Sequence, residues 1–92
     1  MHNIDKACLF FKALSDETRL KIVETLFERS MPVNEISQTV NMSQSAVSHQ
    51  LKTLRLYNIV KSDRKGKEIY YSLNDDHVKT IISQVFSHTS HE

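Results

Sequence analysis

Apolar residues recur at three-to-four spacing along five stretches of this chain and at a spacing of two along one. Ala7, Phe10, Phe11 and Leu14 share one side of a helix predicted over residues 4–14. Leu20, Val23, Leu26 and Phe27 form the stripe of a second helix. Ser15 is its expected cap, with Asp16 and Glu17 in a first turn where the helix dipole favours acids. Ser30-Met31-Pro32 breaks that helix, and Val33, Ile36 and Val40 mark a short third one ending near Asn41. After the tight Asn41-Met42-Ser43 connection, Ser43 caps a fourth helix that buries Val47, Leu51 and Leu54. Val60, Ile69, Tyr71 and Leu73 then alternate as in two strands around Gly66, the only glycine. A last helix follows Asn74 or Asp75 as N-cap, with Val78, Ile81, Ile82, Val85 and Phe86 on one face.

Two short helices joined by about three polar residues, with a hairpin behind them, make a helix-turn-helix with a wing. The expected fold is mostly α with a β-hairpin wing, as one domain over residues 1–92. With 92 residues the chain is small for an isolated core, so burial through a homodimer would help it. The side of the first helix exceeds what such a core needs and is expected to join the dimer interface.

Composition narrows the setting. No apolar run approaches the ~20 residues of a membrane span, and no secretory signal precedes the first helix, so a cytoplasmic location and no membrane partner are expected. The single cysteine, Cys8, excludes an intramolecular disulfide and is expected to be a small packing residue. Tyr70 and Tyr71 are also read as packing residues. Enzyme chemistry is disfavoured, because no nucleophile–base pair or phosphate-cradling glycine loop is present.

Net charge is only +1, but its distribution is uneven. Residues 43–68 hold six basic and two acidic side chains, against five and six before them and one and three after. A basic middle on a near-neutral chain suits a protein that touches phosphate with one surface. The outer face of the fourth helix carries Gln44, Ser45, Ser48, His49, Lys52 and Arg55. Small hydroxyl and amide groups at a helix N-terminus can hydrogen-bond base edges in a major groove. Arg64, Lys65 and Lys67 surround the hairpin tip and can reach adjacent phosphates. Double-stranded DNA is the expected partner. Arg19 and Lys21, by contrast, read as a solvated face.

Asp75, His77, His88 and His91 are metal-ligand side chains concentrated in the last eighteen residues. His88 and His91 are neighbours on one helix surface. His77 and His88 point to nearly the same side, but eleven residues of rise separate them by roughly 16 Å. One straight helix cannot bring both to one ion, whose bonds are only about 2 Å long. Two copies packed antiparallel can, with Asp75 and His77 of one protomer meeting His88 and His91 of the other. A solvated polar helix end accounts for any one of these histidines; their joint spacing favours ligation.

Three blocks carry a resemblance to the ArsR/SmtB family of bacterial metal-sensing repressors: Ala13-Leu14-Ser15-Asp16-Glu17-Thr18-Arg19-Leu20, Ser43-Gln44-Ser45-Ala46-Val47-Ser48-His49-Gln50-Leu51-Lys52-Thr53-Leu54, and Gly66-Lys67-Glu68-Ile69-Tyr70-Tyr71-Ser72-Leu73. The resemblance covers essentially the whole chain. It implies a dimeric winged helix with the first and last helices at the interface. One class of the family uses a Cys-x-Cys motif at the start of the third helix; Met31-Pro32-Val33-Asn34-Glu35 stands there, so thiolate sensing is not expected. The zinc-type class places Asp-x-His near the start of the last helix and His-x-x-His or His-x-x-Glu near its end, and Asp75, His77, His88 and His91 match it. Three nitrogens and one oxygen suit tetrahedral zinc, with cobalt a good mimic. The resulting expectation is a zinc-responsive repressor that releases its operator on binding metal. Nickel or cobalt sensing, with a ligand such as His2, and a metal-independent winged-helix module are the alternatives.

Overall fold

A computed structural model describes residues 3–90. Helix α1 (Ile4–Leu14) is capped by Asn3, whose side chain accepts the Lys6 N–H at 3.1 Å. Helix α2 (Glu17–Thr25) follows, but its cap is Asp16 rather than Ser15: the Asp16 carboxylate accepts the Arg19 N–H at 3.0 Å. Ser15 instead closes α1, donating its hydroxyl to the Lys12 carbonyl. With only two residues between the helices, one finishes α1 while the other starts α2.

The core stripe of α2 is also rotated from the sequence expectation. Ile22, Val23 and Leu26 are buried, whereas Leu20 and Phe27 are half-buried. Ile22 faces inward because α2 is covered from more than one side, by α3 and α4 as well as α1.

Met31–Pro32 does more than break a helix. These residues form a short strand β1, followed at once by α3 (Val33–Val40). The sheet therefore has three strands in the order β1-β3-β2, with β2 at Val60–Lys65 and β3 at Glu68–Leu73. Met31 pairs with Tyr71 and Pro32 with Tyr70, and β2 pairs with β3 from Val60↔Leu73 out to Lys65↔Glu68. At the tip Gly66 takes φ 64°, a conformation glycine adopts without steric cost.

Helix α3 ends in Asn41 at φ 57°, and the Ser37 hydroxyl donates to the Met42 carbonyl at 2.8 Å, tightening the turn. Ser43 then caps α4 (Gln44–Leu56), its hydroxyl accepting the Ala46 N–H at 3.1 Å. Val47, Leu51 and Leu54 are fully buried, as their spacing predicts. The chain leaves α4 through Asn58 at φ 58°, and Ile59 N–H returns to the Leu54 carbonyl at 2.9 Å. The Ile59 carbonyl accepts the Asn74 N–H at 2.9 Å, which joins the segment leaving α4 to the start of α5 (Asp76–Thr89).

The apolar face of α5 divides in two. Val78 and Ile82 enter the core and Phe86 meets Phe27 edge-on, whereas Ile81 and Val85 stay exposed. Likewise α1 buries only Ala13; Ile4 and Phe11 are exposed at 71% and 62%. Cys8 lies on this outer side and is exposed, not a packing residue, because the core touches α1 through Phe10, Ala13 and Leu14.

Candidate nucleic-acid interface and metal-ligand positions

The fourth helix presents its polar face as the sequence leads one to expect. Gln44, Ser45, Ser48, His49, Lys52 and Arg55 are all exposed, while the opposite face is sealed into the core. Gln44, Ser45, Ser48 and His49 occupy its first two turns, where free backbone N–H groups add to the donor supply. The two cations follow along the same helix. The arrangement can offer hydrogen bonds to base edges and positive charge to the flanking backbone.

Arg64, Lys65 and Lys67 sit exposed at the tip of the β2–β3 hairpin. Lys65 Nζ lies 5.1 Å above the Tyr70 ring, and Arg64 Nε donates to the Gly66 carbonyl at 3.3 Å. Both interactions are local and leave the charges open to solvent. Tyr70 and Tyr71 are half-buried, and Tyr71 packs against the core, consistent with packing roles.

Arg19 is the residue that sequence reasoning misplaced. Its guanidinium is partly buried: Nε donates to the Ala13 carbonyl at 2.6 Å, Nη2 to the Lys12 carbonyl at 3.5 Å, and Nη1 to Gln50 Oε1 on α4 at 3.1 Å. One signal for this was available. A cation in the first turn opposes the dipole of its own helix, which is easier to understand when the side chain serves the C-terminus of another.

At the start of α5, Asp75 is the N-cap. Its Oδ1 accepts the Val78 N–H at 2.9 Å and lies 3.2 Å from His77 Nδ1, while Oδ2 accepts from Asn74 Nδ2 at 2.9 Å. The Val78 N–H first, then the Asn74 amide and His77, hold the Asp75 carboxyl below the usual carboxylate range against a partial desolvation. His77 is open, its side chain 81% exposed. The pair borders a cavity of about 470 Å³ between α1 and α5, lined also by Phe10, Phe11, Tyr57 and Ile81.

His88 is not brought to this pair. His88 lies exposed in the last turn of α5, and His91 falls outside the described residues, as does His2. Among the described residues no group of three or more His, Cys, Asp or Glu side chains is arranged to hold a metal ion. Among the described residues, one carboxylate and one imidazole are therefore what a single protomer assembles. A carboxylate oxygen and an imidazole nitrogen are ligand types that zinc and cobalt accept, and the His77 imidazole is exposed.

Comparison with known proteins places this geometry in a family. Residues 16–62, which span α2 through the first residues of β2, match the family described as "Bacterial regulatory protein, arsR family". The chain is 40% identical over 79 residues to the "Transcriptional repressor SmtB homolog" of Synechocystis sp., covering 86% of this chain and 60% of that protein. It is 40% identical over 79 residues to the "Cadmium resistance transcriptional regulatory protein CadC homolog" of Staphylococcus aureus, covering 85% and 65%. The chain thus spans somewhat under two thirds of the length of these two relatives. Among solved structures, reduced HlyU from Vibrio cholerae superposes with a TM-score of 0.85 at 30% identity, covering 97% of this chain and 94% of that one. No helix among the described residues is long and apolar enough to cross a membrane. The relatives named by function are transcriptional regulators rather than enzymes, and this chain, a winged helix-turn-helix, belongs to the arsR family of bacterial regulatory proteins.

Proposed function

We propose that the protein is a homodimeric transcriptional repressor that binds a palindromic operator and releases it when zinc occupies two sites at the dimer interface. The observation that carries the reading is the Asp75–His77 pair, an incomplete ligand set at 3.2 Å that opens on a cavity between two helices whose outer apolar faces lack cover within the protomer. Ile4 and Phe11 on α1, with Ile81 and Val85 on α5, are the surface a second copy would bury. An antiparallel partner α5 would bring His88 and His91 to Asp75 and His77. The names of two relatives, a repressor and a cadmium-resistance regulator, support a metal-responsive repressor as the class.

In this reading Gln44, Ser45, Ser48 and His49 contact base edges, Lys52 and Arg55 contact the phosphates beside them, and Arg64, Lys65 and Lys67 reach phosphates from the wing. Bound zinc supplies a four-ligand cross-link between the two terminal helices. The chain's own residues carry that restraint inward. Asp75 is bonded to Asn74, and the Asn74 N–H is bonded to Ile59 in the segment leaving α4. A shift of the α5 N-terminus therefore reaches the recognition helix through three hydrogen bonds, the last from the Ile59 N–H to the Leu54 carbonyl of α4. By linkage, operator DNA weakens zinc binding by the same factor that zinc weakens operator binding.

The test is a titration of the metal-free dimer on fluorescent DNA from its own promoter region with buffered zinc. Anisotropy should fall as two zinc ions bind per dimer. His77→Ala and His88→Ala should each keep operator binding and abolish the fall. Release by nickel or cobalt but not zinc would reassign the metal, and DNA binding indifferent to all three ions would leave a metal-independent winged-helix protein.

A further inference from the structure

Arg19 occupies a junction that neither the DNA surface nor the ligand positions explain. It starts α2, yet none of its side-chain hydrogen bonds stays within that helix. Two guanidinium nitrogens donate to carbonyls at the C-terminal end of α1, Ala13 at 2.6 Å and Lys12 at 3.5 Å, and the third donates to Gln50 on α4 at 3.1 Å. The planar fork fixes the directions of these bonds relative to one another, which a lysine ammonium on a flexible stem cannot do. The carbonyls at a helix C-terminus lack intrahelical donors and carry the negative end of the dipole, so the cation is held where it is best stabilised.

Helix α1 otherwise meets the core only through Phe10, Ala13 and Leu14. It buries only Ala13, and most of its apolar surface faces outward. Gln50 is half-buried on the flank of α4, between the exposed face that carries Ser48 and His49 and the core residue Leu51.

We propose that Arg19 is the positioning residue that sets the recognition helix against α1, acting through Gln50. Resting on the proposed function, in which α1 meets a second copy and α4 reads DNA, this makes the Arg19–Gln50 bond a second line of communication between interface and operator. It is separate from the Asn74 route, which lies beyond the C-terminus of α4. Arg19 itself touches no base in this scheme; its effect on DNA passes through the placement of α4.

Two measurements on the full chain test it. The first needs no DNA: amide hydrogen exchange of wild type, Arg19→Lys and Gln50→Leu at a temperature where all three are folded. Gln50→Leu alters only α4, yet it should speed exchange at the last turn of α1, and Arg19→Lys should speed it at both helices. Exchange that changes in α4 alone when Gln50 is replaced would overturn the proposal. The second is a double-mutant cycle of promoter-DNA affinity. Each single variant should bind about tenfold more weakly, the affinity equivalent of one hydrogen bond's net contribution, and the double variant should be no weaker than either. Losses that multiply would mean that Gln50 and Arg19 act separately and would overturn it too. Should wild type fail to bind promoter DNA, the operator reading falls, and the exchange result still decides whether the junction couples the two helices.

Discussion

Asp75 shows how much one side chain can be asked to do. It caps α5 through the Val78 N–H, holds the Asn74 amide and stands beside His77, and in the proposed function it is also a ligand. Those interactions favour its ionised form, so its folded pKa lies below the unfolded value. Its stabilising contribution is therefore complete above the ordinary value of about 3.9 and is lost as pH falls through the lower folded value. Asparagine caps a helix about as well as aspartate but does not titrate there. Thermal melts from about pH 2.5 to 6 should thus show a steeper acid decline for wild type than for Asp75→Asn, the two curves converging at the acid end. Parallel curves would mean that Asp75 gains nothing from its charge. The cap itself was open to sequence reasoning, because Asp75 precedes an apolar stripe. The Ser15 assignment failed for a related reason: when two polar residues separate two helices, composition does not reveal which one serves which end.

At the scale of elements, all five helices and the hairpin follow from periodicity, since each buries one face and period alone distinguishes 3.6 from 2. The missing strand is Met31–Pro32, which is too short to have a period and exists only because β3 lies alongside it. The inward turn of Ile22 was hidden similarly, since it depends on what packs around α2. Arg19 left a trace as a cation in a first turn, but its partners on α1 and α4 did not. The exposed polar and basic residues of α4 and the wing were legible because exposure follows from the buried face opposite. Replacing Arg64, Lys65 and Lys67 together by alanine should weaken binding to specific and unrelated duplexes by a similar factor. The slope of log affinity against log salt should flatten by about 0.9 for each phosphate that is no longer neutralised. Weakening confined to the specific duplex would instead make the wing a reader of sequence.

The whole molecule is where sequence reasoning about the ligands reaches its limit. Spacing leads one to expect that one α5 cannot close a site; among the described residues Asp75 and His77 meet at 3.2 Å, and His88 lies in the last turn of the same helix. The completing half depends on how two copies meet, and Phe11 and Val85, 62% and 43% exposed in the protomer, are where that association can be broken without disturbing the core. Phe11→Glu combined with Val85→Glu should give a folded monomer by sedimentation velocity. Operator affinity should then fall by about a hundredfold or more, as expected when two linked half-sites are bound independently. A variant that stays dimeric would place the interface on another face.

The short strand β1 also bears on how the protein behaves in a crowded solution. A three-stranded sheet has two edges through which it could recruit a strand from another chain. One edge here is β1, only two residues long and ending in Pro32, which has no N–H to offer. The other is β2, where Lys61, Asp63, Arg64 and Lys65 line the strand with charge. Neither edge is a good template for cross-chain pairing, so the sheet that carries the wing resists aggregation even though the protein exposes apolar helices. Self-association is left to the helical faces, where it can end in a closed pair instead of growing into a fibril.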